Sequence, residues 1–279
     1  MIPKIIHYCW FGGNPLPDLS KKCIVSWKQY CPDYEIKEWN ESNFDLNCCD
    51  YVREAAQAKK WAFVSDYARF WILYNYGGIY FDTDVELIKP IDEIVKKGPF
   101  MGFEIDPHEG DKTLAPGLGL AANPGLGLAA NPSLGLYKNI LEVYEKRHFL
   151  NQDGTTDQST VVTFITEFLV RDGLDNKSGI QYVDGIYIYP SEYFCPMDYD
   201  TGKINTTENT VSIHHFSASW LSKTEDKILE INRFCLNKFG EEKGRKIARI
   251  IDFSFRVKNK IEKFGIGGTI RFVGEKLRL

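Results

Sequence analysis

The chain has 279 residues, of which 43% are hydrophobic, 26% charged and 14% aromatic; that is room for one large α/β domain with a substantial core, a globular rather than disordered composition, and an aromatic share rich enough for surfaces that stack on bases or sugar rings. Its seven cysteines are odd in number and contain no C-x-x-C pair, which argues against a disulfide framework or a zinc site and fits reduced thiols in the cytosol. The formal charge of -4 is unevenly spread, with residues 233–279 at +8 and the remainder at -12, so the domain holding most of the aromatics is acidic and nucleic acid is not expected as a partner.

The opening residues, Met1 to Gly13, lack a long apolar signal core, and no stretch reaches the length of a membrane span, so the protein is read as soluble and cytoplasmic. Ile2 to Trp10 reads as a buried first strand running into the loop Phe11-Gly12-Gly13-Asn14, and a strand ending in a Gly-rich loop at the start of an α/β domain is where a nucleotide docks. Pro17 to Tyr30 reads as a helix with Leu19, Cys23, Val25 and Trp27 near its inner side, and Tyr34 to Trp39 alternates like a strand. Arg53 to Tyr76 is one long helical run, rich in alanine and then in aromatics (Trp61, Phe63, Tyr67, Phe70, Trp71), and so apolar that it is buried on more than one side.

That run carries Asp66 and Arg69, three apart and on one helical face, and stops at Gly77-Gly78, where a left-handed backbone is cheap only for glycine. The strand Ile79-Tyr80-Phe81 follows and continues through Val85 to Ile88, and its period of two puts Tyr80, Asp82 and Asp84 on one side. Two acids at a strand end suit an oxygen-liking cation that also accepts phosphate oxygens and water. A bare D-x-D is common, and Asp198-Tyr199-Asp200 matches it too; that second instance reads as a solvated loop after Pro196. The first is distinguished by the Asp/Arg pair, the glycine break and the apolar strand in front of it.

Ile91 to Lys97 reads as a short helix and Phe100 to Glu104 as a strand. Gly117 to Pro124 and Gly125 to Pro132 are an identical tandem repeat, too short in period and number for a solenoid, with one copy expected as a strand and loop near the site. Leu136 to Phe149 reads as a helix, and Thr155 to Ser159, with Asp157 and Gln158, as the cap of a helix reaching Val170. Ile180 to Pro190 and Val211 to Phe216 read as strands, the latter entering His214-His215-Phe216-Ser217-Ala218-Ser219-Trp220. From Glu225 the chain is helical and basic, with apolar residues beside Arg249, Arg256, Lys258, Lys260 and Lys263, the pattern of a segment drawn to anionic lipid or of a packing helix with a solvated face.

The motifs Ile2-Pro3-Lys4-x-Ile6-His7-x-x-Trp10, Ser65-Asp66-x-x-Arg69, Tyr74-x-x-Gly77-Gly78, Tyr80-x-Asp82-x-Asp84 and His215-x-x-x-Ser219-Trp220 together resemble the DXD glycosyltransferases of family 32, which includes fungal α-mannosyltransferases, bacterial capsule and lipopolysaccharide sugar transferases and the catalytic domains of clostridial glucosylating toxins. The resemblance implies a GT-A-type α/β fold, a catalytic domain over residues 1–222 and a basic helical extension over 223–279. It implies that Trp10 stacks on the donor's base, that Asp66, Arg69 and Asp82 hold its ribose and sugar, with Tyr80 grouped among the donor-binding residues, and that Ser219 and Trp220 close over the diphosphate. It further implies Mn²⁺ (or Mg²⁺) on Asp84, with His215 as a further ligand, and Arg69, Asp82 and Asp84 as the catalytic set. The implied reaction is retaining transfer of a hexose or N-acetylhexosamine from a nucleotide-diphosphate sugar, UDP-sugars favoured, to a glycan or lipid-linked glycan in bacterial capsule, exopolysaccharide or lipopolysaccharide synthesis, with peripheral membrane contact through the basic tail. Two other readings stay open: a metal-dependent glycan-binding module without turnover, and a haloacid-dehalogenase-like phosphatase with Asp82 as nucleophile and Asp84 as acid, although Glu86 stands where that family carries Thr or Val.

Overall fold

The computed structural model describes residues 1–107, 121–123, 125–151, 153–157, 159, 161–217, 223–255 and 257. They fall into two compact units, Met1–Met197 with Ile204–Trp220, and Asp198–Lys203 with Leu221–Leu279.

In chain order the first unit runs β1 (Ile5–Cys9), α1 (Asp18–Tyr30), β2 (Glu35–Trp39), α2 (Asp50–Gln57), α3 (Trp61–Tyr76), β3 (Gly78–Tyr80), β4 (Val85–Leu87), α4 (Asp92–Lys97) and β5 (Phe100–Ile105). It continues with β6 (Ala121–Asn123), β7 (Leu128–Ala130), α5 (Gly135–Tyr144), α6 (Val161–Arg171), β8 (Gln181–Val183), β9 (Ile186–Tyr189), α7 (Ser191–Phe194) and β10 (Ser212–His214). A mixed sheet has the order β2-β1-β3-β7-β5-β9-β8, with β6 also paired to β5, while β4 and β10 form a separate antiparallel pair. One core cluster packs residues of α2, α3, α5 and α6 against one face of the sheet. A second packs residues of α1, α4 and α7 against the other, so the unit is a layered α/β domain with helices on both faces.

The glycine break behaves as its sequence dictates. Gly77 (φ +64) closes α3 by donating its N–H to the Leu73 carbonyl, and Gly78 (φ +93) admits no side chain, because a Cβ there would lie 2.7 Å from the Ile5 carbonyl oxygen and 3.0 Å from His7 Nε2. His7 is fully buried; Trp39 Nε1–H donates to its Nδ1 at 3.1 Å, which leaves Nε2–H to donate to the Gly77 carbonyl at 3.0 Å. A buried neutral ring therefore fastens β1 and β2 to the turn between α3 and β3.

Five elements differ from the sequence reading. Val25, expected on the inner side of α1, is 60% exposed, because the stripe made by Ser20, Cys23 and Trp27 at spacings of three and four excludes it. The long helical run is two helices, broken where Lys59 takes φ +56. The strand after the glycines does not continue: Val85 N–H donates to the Asp82 carbonyl at 3.1 Å, a turn that ends β3 and sends β4 to β10. The helix from Leu136 ends at Tyr144. Finally, Ile180 to Pro190 is a hairpin rather than one strand, turned by Asp184 (φ +44) and Gly185 (φ +86), a dipeptide suited to a type I′ turn.

Burial holds the His7 pKa down at about 4 against the pull of the Gly77 carbonyl, so the native state takes up its proton later than the unfolded chain, whose histidine titrates near 6.5. The sign follows: this contribution to stability is intact above pH 6.5 and is lost as pH falls toward 4, by about 2 kcal/mol at pH 5. Thermal unfolding from pH 7.5 to 5 should therefore show a shallower loss of Tm in His7→Asn than in the wild type, although the variant starts lower; parallel slopes would contradict the assignment.

Candidate active site

Arg69 is the centre of the site. Its guanidinium, only 5% exposed, reaches Asp66 Oδ1 at 3.0 Å and Asp82 Oδ1 at 3.2 Å, lies 5.1 Å from the centroid of the Tyr80 ring, and donates from Nε to the Ser65 carbonyl at 3.1 Å. The helical spacing of three puts Asp66 beside it, and the short strand β3 delivers Asp82 to it from the central sheet. Tyr80, buried, donates its hydroxyl to the same Asp82 oxygen at 3.1 Å. Among the described residues, Asp82 Oδ2 accepts no hydrogen bond, and the side chain is 30% exposed. The acid thus has one oxygen fixed and one available.

The turn at Asp82 to Val85 gives Asp84 a different environment from the one period-two alternation predicts. Asp84 Oδ2 accepts from the Ser217 backbone N–H at 2.8 Å and from its hydroxyl at 2.9 Å, and Oδ1 lies 3.3 Å from His214 Nε2. The β4–β10 register sets this up, since Val85 pairs with His214 and the chain beyond β10 folds back over Asp84. His215, the residue placed on the metal by resemblance, points instead to Glu86 at 2.8 Å, and Glu86 also pairs with Lys22. The structure therefore brings the His214 ring to the carboxylate of the motif's second acid, while His215 meets Asp84 only by donating its backbone N–H to the Asp84 carbonyl at 3.0 Å. Ser217 had no signal in the motif itself; the pairing of the last strand with β4 is what reveals it.

The electrostatics divide the acids. Burial, reinforced by Asp82, pushes the Asp66 carboxyl up to about 6 despite Arg69. Burial also works against ionised Asp84, but the His214 ring and the two Ser217 donors outweigh it and hold that carboxyl well below its usual range. His214 is raised correspondingly by Asp84, and further by the Cys195 thiol beside it, against its own burial. Burial lifts the Tyr80 hydroxyl far above its ordinary value, so it remains a donor.

Trp10, half-buried after β1, donates its indole N–H to the Asn14 carbonyl at 2.6 Å, which fixes the ring beside the Gly-rich loop. The second copy of the tandem repeat touches the motif directly, because the Gly125 carbonyl accepts the Asp82 N–H at 3.2 Å. Of the first copy, Ala121 to Asn123 form β6 against β5, and its other residues lie outside the described ones, as do Gln158, Ser219 and Trp220. Asp157, expected at a helix cap, instead receives Ser159 N–H at 2.9 Å and pairs with Arg147.

Comparison with known proteins bears on this geometry. Residues 17–101 match the family model described as a glycosyltransferase sugar-binding region containing a DXD motif. Two Schizosaccharomyces pombe proteins are similar over part of the chain: inositol phosphoceramide mannosyltransferase 3, 35% identical over 102 residues (34% of this chain, 27% of that protein), and inositol phosphoceramide mannosyltransferase 1, 28% identical over 117 residues (38% and 35%). The chain thus matches about a third or less of the length of each relative. A solved glycosyltransferase involved in glycosylation of the major capsid of PBCV-1 aligns with 82% of this chain and all of its own at 13% identity and a TM-score of 0.39, a distant likeness.

Two substitutions test the charge arrangement. The Asp66 carboxyl prefers its proton in the folded protein, so its destabilising effect is absent below the unfolded value near 3.8 and complete above about 6. Asp66→Asn should raise the Tm at pH 7.5 by several degrees, a gain of about 2 kcal/mol, and the gap to wild type should close as pH falls from 6 to 4. Arg69→Met leaves Asp66 and the partly exposed Asp82 without their counter-charge and should cost about 2–4 kcal/mol in chemical denaturation; a loss under about 1 kcal/mol would mean that the pairs are solvated.

Proposed function

We propose, from the match of residues 17–101 to the glycosyltransferase sugar-binding region containing a DXD motif, that the protein transfers a hexose or N-acetylhexosamine from a nucleoside-diphosphate sugar to a hydroxyl of a glycan, free or carried on a lipid. The observation that carries the reading is the buried Arg69 bridging Asp66 and Asp82 immediately before a second, permanently ionised acid, Asp84. An isolated ionic network of this kind is costly in a core and is accounted for by a charged, polyhydroxylated ligand.

In this reading Asp66, Arg69 and the open oxygen of Asp82 engage donor hydroxyls, with the Tyr80 hydroxyl holding Asp82 in place, and Trp10 offers its face to the base. The oxygens here suit a divalent cation by donor chemistry: Asp82 Oδ2 is open, and Asp84 offers hard carboxylate oxygens whose charge the His214 ring at 3.3 Å and Ser217 hold in place. Among the described residues no group of three or more His, Cys, Asp or Glu is placed to hold a metal ion. The chemistry such a cation would supply is stabilisation of charge on a departing diphosphate. Asp84 would hold it, His214 and Ser217 orient Asp84, and Arg69 supplies a fixed positive charge at the sugar end. Transfer with retention of anomeric configuration, UDP-sugar as donor, and a role in polysaccharide synthesis at the cytoplasmic face of a bacterial membrane are parts of the proposal that rest on the family resemblance. The names of the fungal relatives bring mannose forward as a transferred sugar, and with it guanosine donors.

Calorimetric titration with UDP and with GDP, each with and without Mn²⁺, separates these. Binding of one nucleotide only in the presence of metal, lost in Asp84→Asn, is the expected result and identifies the base. Absence of binding for both nucleotides in wild-type protein would sink the donor-site reading.

A further inference from the structure

The second unit is built so that its inner contacts are complete while apolar side chains remain outside. α8 (Lys223–Phe239) ends at Gly240 (φ +78), and a further helical run covers residues 241–255. A Cβ on Gly244 would lie 2.7 Å from the Cys235 carbonyl oxygen and 2.8 Å from Leu236 Cα, so this glycine lets the two helices meet backbone to backbone. Cys235, Leu236 and Ala248 are buried.

Outside that contact, Ile250 is 68% exposed, Phe253 42%, Phe234 59% and Phe239 42%. Lys246 and Ile250, like Arg249 and Phe253, are four apart, and Lys246–Arg249 and Ile250–Phe253 are three apart, so two cations and two large apolar groups share one face. Phe234 stands one turn before Lys238, whose ammonium lies 5.1 Å from its ring centroid. Lys246 pairs with Glu242, while Arg249 makes no ion pair among the described residues. Isolated exposed aliphatic residues need no explanation, but aromatic and aliphatic groups interleaved with cations on one helical face are the composition of an interfacial helix. Charge selects the occupant: residues 233–279 carry +8 against -12 elsewhere, so an anionic surface attracts this segment and repels the remainder. No helix among the described residues is long and apolar enough to cross a membrane.

We propose that the face formed by Lys246, Arg249, Ile250 and Phe253 docks the protein on an anionic lipid surface. Ile250 and Phe253 enter the boundary between headgroups and acyl chains, Lys246 and Arg249 meet lipid phosphates, and Phe234 with Lys238 offers the same chemistry from α8. The proposal rests on the reading of the acceptor as lipid-borne, since docking then brings enzyme and acceptor to one plane.

The test is flotation of the full chain with vesicles of phosphatidylcholine alone and with about 30% phosphatidylglycerol, at low and high salt, for wild type, Ile250→Ser/Phe253→Ser and Lys246→Glu/Arg249→Glu. The expected result is partition onto anionic vesicles about tenfold or more above neutral ones, abolished by salt and weakened about tenfold by either pair of substitutions, with unchanged far-ultraviolet circular dichroism. Equal partition on both vesicles, none on either, or variants that bind like wild type would overturn it. So would a dimer in sedimentation equilibrium that the Ile250→Ser/Phe253→Ser pair dissociates without any vesicle binding, which would make the face a contact between copies. Nucleotide binding measured on the same variants keeps the two readings apart: its persistence while flotation fails removes only the docking face.

Discussion

The structure depends on one buried cation. Arg69 is held among Asp82, Asp66 and the Ser65 carbonyl, groups that come from α3 and from the residues just after β3. Everything near it follows from that requirement. α3 must stop sharply enough for the chain to return as a strand beneath it, which is the work of Gly77 and Gly78, and the turn must be fastened to the sheet, which is the work of His7 and Trp39. β3 is only three residues long because its purpose in the domain is to present Tyr80 and Asp82 to that guanidinium.

The turn after Asp82 then divides the two acids. Asp82 shares its charge with Arg69 inside the main sheet, whereas Asp84 belongs to the small β4–β10 pair and is neutralised by His214 and Ser217. Asp66, Asp82 and Asp84 are matched by Arg69 and His214, so the arrangement is close to balanced but carries a residual negative charge once Asp66 ionises above pH 6. A diphosphate brought to such a place is repelled unless a divalent cation accompanies it. The burial of Asp66 at a stability cost is the signature of a group kept for binding rather than for folding.

Much of this was legible in the sequence because it is local. The helix carrying Asp66 and Arg69, the glycine stop, the strand with Tyr80 and the α/β class all follow from spacings of three, four and two and from glycine's backbone freedom. What was not legible depends on partners distant in sequence. Alternation put Asp82 and Asp84 on one side, yet a single backbone hydrogen bond from Val85 to Asp82 redirects the chain. The choice between His214 and His215 is a matter of register between β10 and β4, more than a hundred residues apart, and no local pattern encodes it. Likewise the two copies of the repeat are chemically identical, and the pairing of β7 with β3 is what brings Gly125 of the second copy to Asp82. Val25 is apolar yet exposed, since its helical angle, off the Ser20–Cys23–Trp27 stripe, decides its face.

The central claim is that these acids form a site that takes a divalent cation and a nucleoside diphosphate together. Electron paramagnetic resonance titration of Mn²⁺ measures this directly, with and without saturating nucleoside diphosphate. The account predicts weak binding of the ion alone and an increase of about tenfold or more when the nucleotide is present, matched by the same increase in nucleotide affinity when the ion is present. Mn²⁺ affinity that is indifferent to the nucleotide, or binding that survives replacement of Asp84, would contradict it.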